Sequence, residues 1–226
     1  MLIEKIREHQ RMFNSKCENI RWILASHLAY TVLLSRPDIT DVSPLPDELN
    51  IDGIKVSTRE IFGSILQPKD RQKIIDENLA AARRLLTADV LDQLVESFCR
   101  SYAIFVDEDH IDPYEKDDSI YFAAKRLYKG IKEAKYFTED EKEFLKGLAN
   151  PFRNIIRHHN GIVPPKGEIN YHGTIDDVRI ALKLGKGKGL QTNLNKCNTI
   201  YVLIRNIGNR AFSRLIDDAR EQENAG

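Results

Sequence analysis

Phe13-Asn14-Ser15-Lys16-Cys17-Glu18-Asn19-Ile20-Arg21-Trp22-Ile23-Leu24-Ala25-Ser26-His27-Leu28-Ala29-Tyr30-Thr31-Val32-Leu33-Leu34 is the stretch that decides the fold. Phe13, Cys17, Ile20, Leu24, His27, Thr31 and Leu34 recur at alternating steps of four and three, which puts them on one stripe of an α-helix. The pattern predicts a long first helix from about Leu2 to Ser35, ended before Pro37. Near the other end, Leu190, Leu194, Cys197, Tyr201, Ile204, Gly208, Ala211 and Leu215 repeat the rhythm. They predict a long last helix whose stripe suits a bundle or dimer seam. The tail Glu221 to Gly226 is expected to fray.

Shorter helices fill the middle. Ser57-Thr58-Arg59-Glu60 reads as a capping box opening one of them, and Pro68 opens another running to Leu86. Thr87 reads as the cap of the next, with Val90, Leu91, Leu94, Val95, Phe98 and Tyr102 as its apolar face. Ile120 to Lys135 is predicted helical, and Thr138-Glu139-Asp140-Glu141 is a second capping box. Loops are expected near residues 36–56, 107–118 and 161–189, the last including an irregular or short hairpin segment between 161 and 174. This reads as one all-α domain over residues 1–226, an antiparallel helical bundle with long first and last helices.

Bulk numbers narrow the function classes. Thirty-four basic and 34 acidic side chains balance among 226 residues, so any nucleic-acid surface must be local. Cys17, Cys99 and Cys197 are far apart; Cys17 and Cys197 fall on apolar stripes and read as buried thiols. There is no CxxC or paired Cys/His spacing, so neither a zinc site nor another metal site is expected. No cofactor fingerprint is present either. The charged N-terminus and the short apolar run from Trp22 to Leu34 predict a cytoplasmic protein with no membrane span.

The chemistry-bearing stretch is Arg153-Asn154-Ile155-Ile156-Arg157-His158-His159-Asn160-Gly161. Arginine is a permanent planar cation that grips phosphate through two parallel hydrogen bonds. Histidine both takes and gives a proton near neutral pH. Asn154 and His158 are four apart, so on a helix the amide is in reach of the imidazole. Arg153 and His158 are five apart, so their faces diverge by about 140°. A kink at Pro151 or a partner chain would bring them together. A plain helix C-terminus with a Gly161 cap accounts for Arg157 to Gly161, but not for Arg153-Asn154.

That string resembles the motif of the HEPN superfamily, in which an arginine and a polar residue precede a histidine on a helix of an α-helical bundle. By the resemblance Arg153, Asn154 and His158 take the family positions, and His159 is the second choice for the histidine. The resemblance covers about nine residues. It implies an elaborated bundle of HEPN type and a metal-independent endoribonuclease acting as a homodimer on RNA, with no cofactor. It also implies a place in phage defence, abortive infection or a toxin system, with an antitoxin or other defence protein as partner. Toxins paired with nucleotidyltransferase antitoxins often carry a tyrosine shortly after the histidine; here the next one is Tyr171. The alternative is a non-catalytic module binding RNA, nucleotide or protein.

Four further features bear on function. Gly185-Lys186-Gly187-Lys188-Gly189 is a basic flexible loop in which Lys186 and Lys188, with Arg157, are candidate RNA-backbone contacts. His27 reads as a satisfied histidine on an apolar stripe. The run Asp107-Glu108-Asp109-His110 lacks the glycine and terminal glutamate of a calcium loop and reads as solvated. His172 is placed in the loop after the motif, in reach of its cleft.

Overall fold

Helix α1 occupies Leu2–Ser35, the span its period predicts. The computed structural model describes residues 2–35, 48–51, 54–57, 68–106, 135–159, 162–165, 168–187 and 194–225. After α1 come β1 (Glu48–Ile51), β2 (Ile54–Ser57), α2 (Pro68–Arg84), a π turn (Leu85–Asp89) and α3 (Val90–Val106). Then follow α4 (Glu139–Phe144), a second π turn (Leu145–Ala149), α5 (Asn150–His158), β3 (Ile169–Ile175), β4 (Val178–Leu184) and α6 (Leu194–Ala225). Helices dominate, but two antiparallel hairpins, β1–β2 and β3–β4, amend the all-α expectation.

The first hairpin falls largely where a loop is expected; the second overlaps the segment 161–174, where a short hairpin is one of the two expectations, and runs beyond it. Ile51 pairs with Ile54, and the residues between them are Asp52-Gly53, a dipeptide that hairpins favour. In the second hairpin Ile175 pairs with Val178, and Asp176 and Asp177 have φ of 51° and 61°. Two successive left-handed residues make a type I′ turn, whose twist matches that of the strands, and aspartate tolerates that conformation. His172 accordingly sits on β3, exposed and opposite Ala181, and not in a loop.

The chain divides into two compact units, residues 21–83 and residues 1–20 with 84–226. In the first, His27 Nδ1 lies 3.0 Å from Asn78 Oδ1 on α2, so this histidine is satisfied as expected. In the second, Phe98 of α3 is the hub of the core. Its ring meets Phe137 at 5.1 Å and Phe212 at 5.5 Å between centroids, both edge-on. Such pairs contribute about 0.5–1.5 kcal/mol each beyond their burial. Cys17, Cys99 and Cys197 are all buried. The α6 stripe, from Cys197 through Tyr201, Ile204, Gly208 and Ala211 to Leu215, is buried inside this unit, so it is a bundle seam. Tyr201 donates its hydroxyl proton to the Cys17 carbonyl at 2.9 Å.

Gly208 is where α6 is most crowded. A Cβ there would stand 2.7 Å from Phe13 Cε1 and 2.8 Å from Leu94 Cδ1. The glycine weakens the helix by about 1 kcal/mol relative to alanine, and close packing explains its presence.

The capping box at Thr138 forms as predicted. Thr138 Oγ1 accepts from the Glu141 N–H at 3.3 Å, and Glu141 Oε2 accepts from the Thr138 N–H at 2.9 Å. Glu141 also ties α4 to α6: its buried carboxylate accepts from Arg210 Nε and Arg214 Nη1, each at 2.7 Å. Burial pushes the Glu141 carboxyl up, but the hydrogen bonds from Arg214, the Thr138 backbone and Arg210 outweigh it and hold it below its ordinary value.

One expectation needs correction. Thr87 does not stand at a helix start: it is buried inside the first π turn, and Arg84 at the head of that turn is already helical. The α6 helix extends past Glu221 to Ala225, where Glu221, Gln222 and Glu223 are good helix formers. The capping box at 57–60 beyond Ser57, the acidic run at 107–118, the predicted helix from Ile120 up to residue 134, and Asn160, Gly161, Lys188 and Leu190 lie outside the described residues.

Candidate functional site

The motif helix α5 continues α4 through the second π turn. Pro151 has no N–H, and its ring would crowd the carbonyl four residues back in a regular helix. The wider turn just before it makes room, and the Asn150 N–H reaches the Leu145 carbonyl five residues back. The chain thus passes Pro151 without a break. Phe152 and Ile155 are buried and anchor the helix, leaving Arg153, Asn154 and Arg157 on its flank.

Those arginines meet carboxylates. Arg153 Nε donates to Asp92 Oδ1 at 2.8 Å, and its Nη1 donates to Asn154 Oδ1 at 3.2 Å. Arg157 Nη2 donates to Asp89 Oδ1 at 2.5 Å and to Asp92 Oδ2 at 2.9 Å. Arg84 Nε stands 3.6 Å from Asp89 Oδ2. Asp89 closes the first π turn and Asp92 lies in the first turn of α3, so the two present one acidic face. Burial raises the Asp89 carboxyl above its ordinary value; Arg157 and Arg84 pull it back only in part, and Asp92 adds to the rise. The cluster joins three guanidinium groups to two carboxylates, leaving a surplus of one positive charge.

The histidines are placed differently. His158 is the last residue of α5 and His159 the first outside it, with φ −131° and ψ 20°; both are exposed. Neither imidazole has a hydrogen-bond partner among the described residues. Asn154 turns its oxygen to Arg153 and not to His158. One chain therefore brings Arg153, Asn154 and Arg157 together and leaves His158 and His159 apart from them, as the five-residue spacing implies.

Backbone contacts bring a second basic element alongside. Ile162 N–H donates to the His159 carbonyl at 2.8 Å, and Gly187 N–H donates to the Val163 carbonyl at 2.9 Å. Gly187 has φ 69°, a conformation that suits glycine. This places the turn carrying exposed Lys186 next to the exit of the motif helix.

Asp89 and Asp92 are the site residues the sequence reading missed. Their three-residue spacing on one helix, set against the four-residue spacing of Arg153 and Arg157 on another, was the available sign. Among the described residues no three His, Cys, Asp or Glu side chains gather as metal ligands, and no helix is long and apolar enough to cross a membrane. Comparison with protein-family profiles, curated proteins and solved structures finds no match to this chain.

Proposed function

We propose that this chain is a metal-independent endoribonuclease of HEPN type, cytoplasmic, and acting as a homodimer in phage defence or a toxin system. The observation that carries the reading is the α5 terminus: two exposed histidines follow an arginine pair, and the Lys186 turn adjoins their exit. RNA supplies its own nucleophile, the 2′-hydroxyl. In this reading His158 takes the 2′ proton, and the 2′ oxygen attacks phosphorus. The bond to the 5′ oxygen breaks, and that oxygen leaves with a proton from His158 of the partner subunit. Arg153 neutralises the charge gathering on the phosphoryl oxygens, while Arg157, Lys186 and Lys188 hold the backbone. His159 substitutes for His158 where the geometry favours it. A two-fold axis answers the separation of Arg153 from His158, because each site then draws on both chains. An antitoxin or another defence protein would restrain the enzyme.

One observation favours a second reading. Arg153 and Arg157 are both engaged by Asp92, and His158 has no orienting partner among the described residues. A non-catalytic module that binds RNA, nucleotide or protein fits those facts.

The test is incubation of the purified chain with labelled single-stranded RNA and tRNA in EDTA, beside Arg153→Ala, His158→Ala and His159→Ala. Cleavage that survives EDTA, leaves 2′,3′-cyclic phosphate ends and disappears in His158→Ala is the expected result. Binding without cleavage by the parent chain as well as by every variant selects the second reading.

A further inference from the structure

The β3–β4 sheet has only two strands, so one edge of β4 has no strand beside it among the described residues. The two-residue turn closes with Ile175 opposite Val178. In such a hairpin the closing pair exchanges both backbone hydrogen bonds, and bonded pairs alternate from there. Ile180, Leu182 and Leu184 therefore bond inward to Gly173, Tyr171 and Ile169. Arg179, Ala181 and Lys183 turn their N–H and C=O groups to the open edge.

Along that edge runs a groove of about 130 Å³ between β4 and the start of α6. Leu148, Ile180, Leu182 and Ile200 supply its apolar surface, and Arg179 and Lys196 supply its cations. Among the described residues no acidic side chain lines it. A strand edge, a facing helix and an apolar floor are the three parts that bind extended peptides by strand addition.

We propose that this groove binds an acidic, extended segment of another protein as a third strand beside β4. The partner's backbone completes the edge at Arg179, Ala181 and Lys183. Its alternate apolar side chains drop into the floor, and its acidic ones, on the other face of the added strand, lie beside Arg179. A second copy is a poor occupant. Antiparallel pairing of β4 with itself sets Arg179 and Lys183 against the same cations, and like charges on paired strands repel. The inference stands apart from the ribonuclease reading, since it uses none of the motif residues.

The experiment titrates the full chain into a fluorescein-labelled hexapeptide alternating glutamate and valine, read by anisotropy. Saturable binding is expected, with hydrogen-exchange protection gained at the amides of Arg179, Ala181 and Lys183. Arg179→Glu should weaken it at least about tenfold. Ala181→Pro removes one edge N–H and no bond to β3, so binding should be lost while Ala181→Val binds. Circular dichroism checks that each variant is folded; if the proline variant is not, the three amides decide. Absent saturation, equal binding of a lysine–valine hexapeptide, or no protection at those amides overturns the proposal. So does a concentration-dependent dimer that protects the same amides, which would name a second copy as the occupant.

Discussion

Replacing Asp92 by asparagine should lower the stability of the fold and raise its affinity for RNA. The change is nearly isosteric and removes one charge. Asp92 accepts one hydrogen bond from Arg153 at 2.8 Å and one from Arg157 at 2.9 Å. Charge-assisted bonds of this kind are worth about 1.5–3 kcal/mol each when dry. Here the arginine side chains are 32% and 37% exposed and Asp92 is 26% exposed, so solvent screening takes much of that away. The asparagine oxygen still accepts one bond. A loss of about 1–2 kcal/mol follows, or a fall of roughly 2–8 °C in Tm for a chain of this size. On the RNA side, a phosphate that pairs with Arg153 must displace the same carboxylate. Removing the competitor returns up to the same 1–2 kcal/mol, about 5–30-fold in Kd. Urea unfolding reads the first effect. Anisotropy with single-stranded RNA in EDTA, in a His158→Ala background, reads the second. A steeper dependence on salt should accompany the gain, because one more cation is free to release counterions. A folded Asp92→Asn protein that binds RNA no better than its parent would falsify the idea that these arginines grip phosphate.

Other perturbations follow from the packing. Gly208→Ala trades about 1 kcal/mol of helix propensity against overpacking of about 1–3 kcal/mol on Phe13 and Leu94. A net loss of stability is expected, and a Tm equal to or above the parent's contradicts the crowding. Tyr171→Ala removes a buried ring that lies edge-on to Phe144 and against Gly147 and Gly173. Calorimetry should show a loss of about 3–5 kcal/mol, with hydrogen exchange quickening in β3 and β4. Glu141→Gln weakens the pairs with Arg210 and Arg214 and should cost about 2–4 kcal/mol at pH 7, discounted because both arginines are a third exposed. Its pH dependence has a definite sign. The folded carboxyl lies below the reference value of 4.5, so its contribution is complete above that value and is lost as pH falls through the lower folded one. The gap between parent and variant should narrow in urea titrations below pH 4.5 and stay constant above it.

The long helices were legible because their stripes persist: Phe13 to Leu34 and Leu194 to Leu215 each keep one period for more than twenty residues. The Thr138 cap was legible because both of its members are local in sequence. The hairpins were legible only in part: a short hairpin was one reading of residues 161–174, though its strands run over 169–184, and β1–β2 was read as loop, although Asp52-Gly53 and Asp176-Asp177 each sit between apolar pairs. Nearby prolines and glycines spoke for loops, and seven-residue strands offer little period to weigh against them. The motif residues could be named from the sequence, but not the carboxylates that hold the arginines. Asp89 and Asp92 lie more than sixty positions from Arg153 and Arg157, and only packing joins them. The π turns left no trace in the pattern, since one added residue shifts a stripe without erasing it.

That added residue has a consequence for the motif. A helix is a screw, and each residue advances it by about 100°. The turn at Leu145–Ala149 carries one residue beyond a regular α-helical turn, so it sets the phase of everything downstream on α5. Deleting a single residue there would take the added step out, crowd Pro151 against the carbonyl four residues back, and leave the chemistry of every remaining side chain unchanged. It would also swing Arg153 and Arg157 about a quarter-turn from Asp89 and Asp92, and shift Phe152 and Ile155 out of the core. The bearing of the motif is in this sense a matter of counting: its residues lie where they do because five others, Leu145 to Ala149, take one step too many.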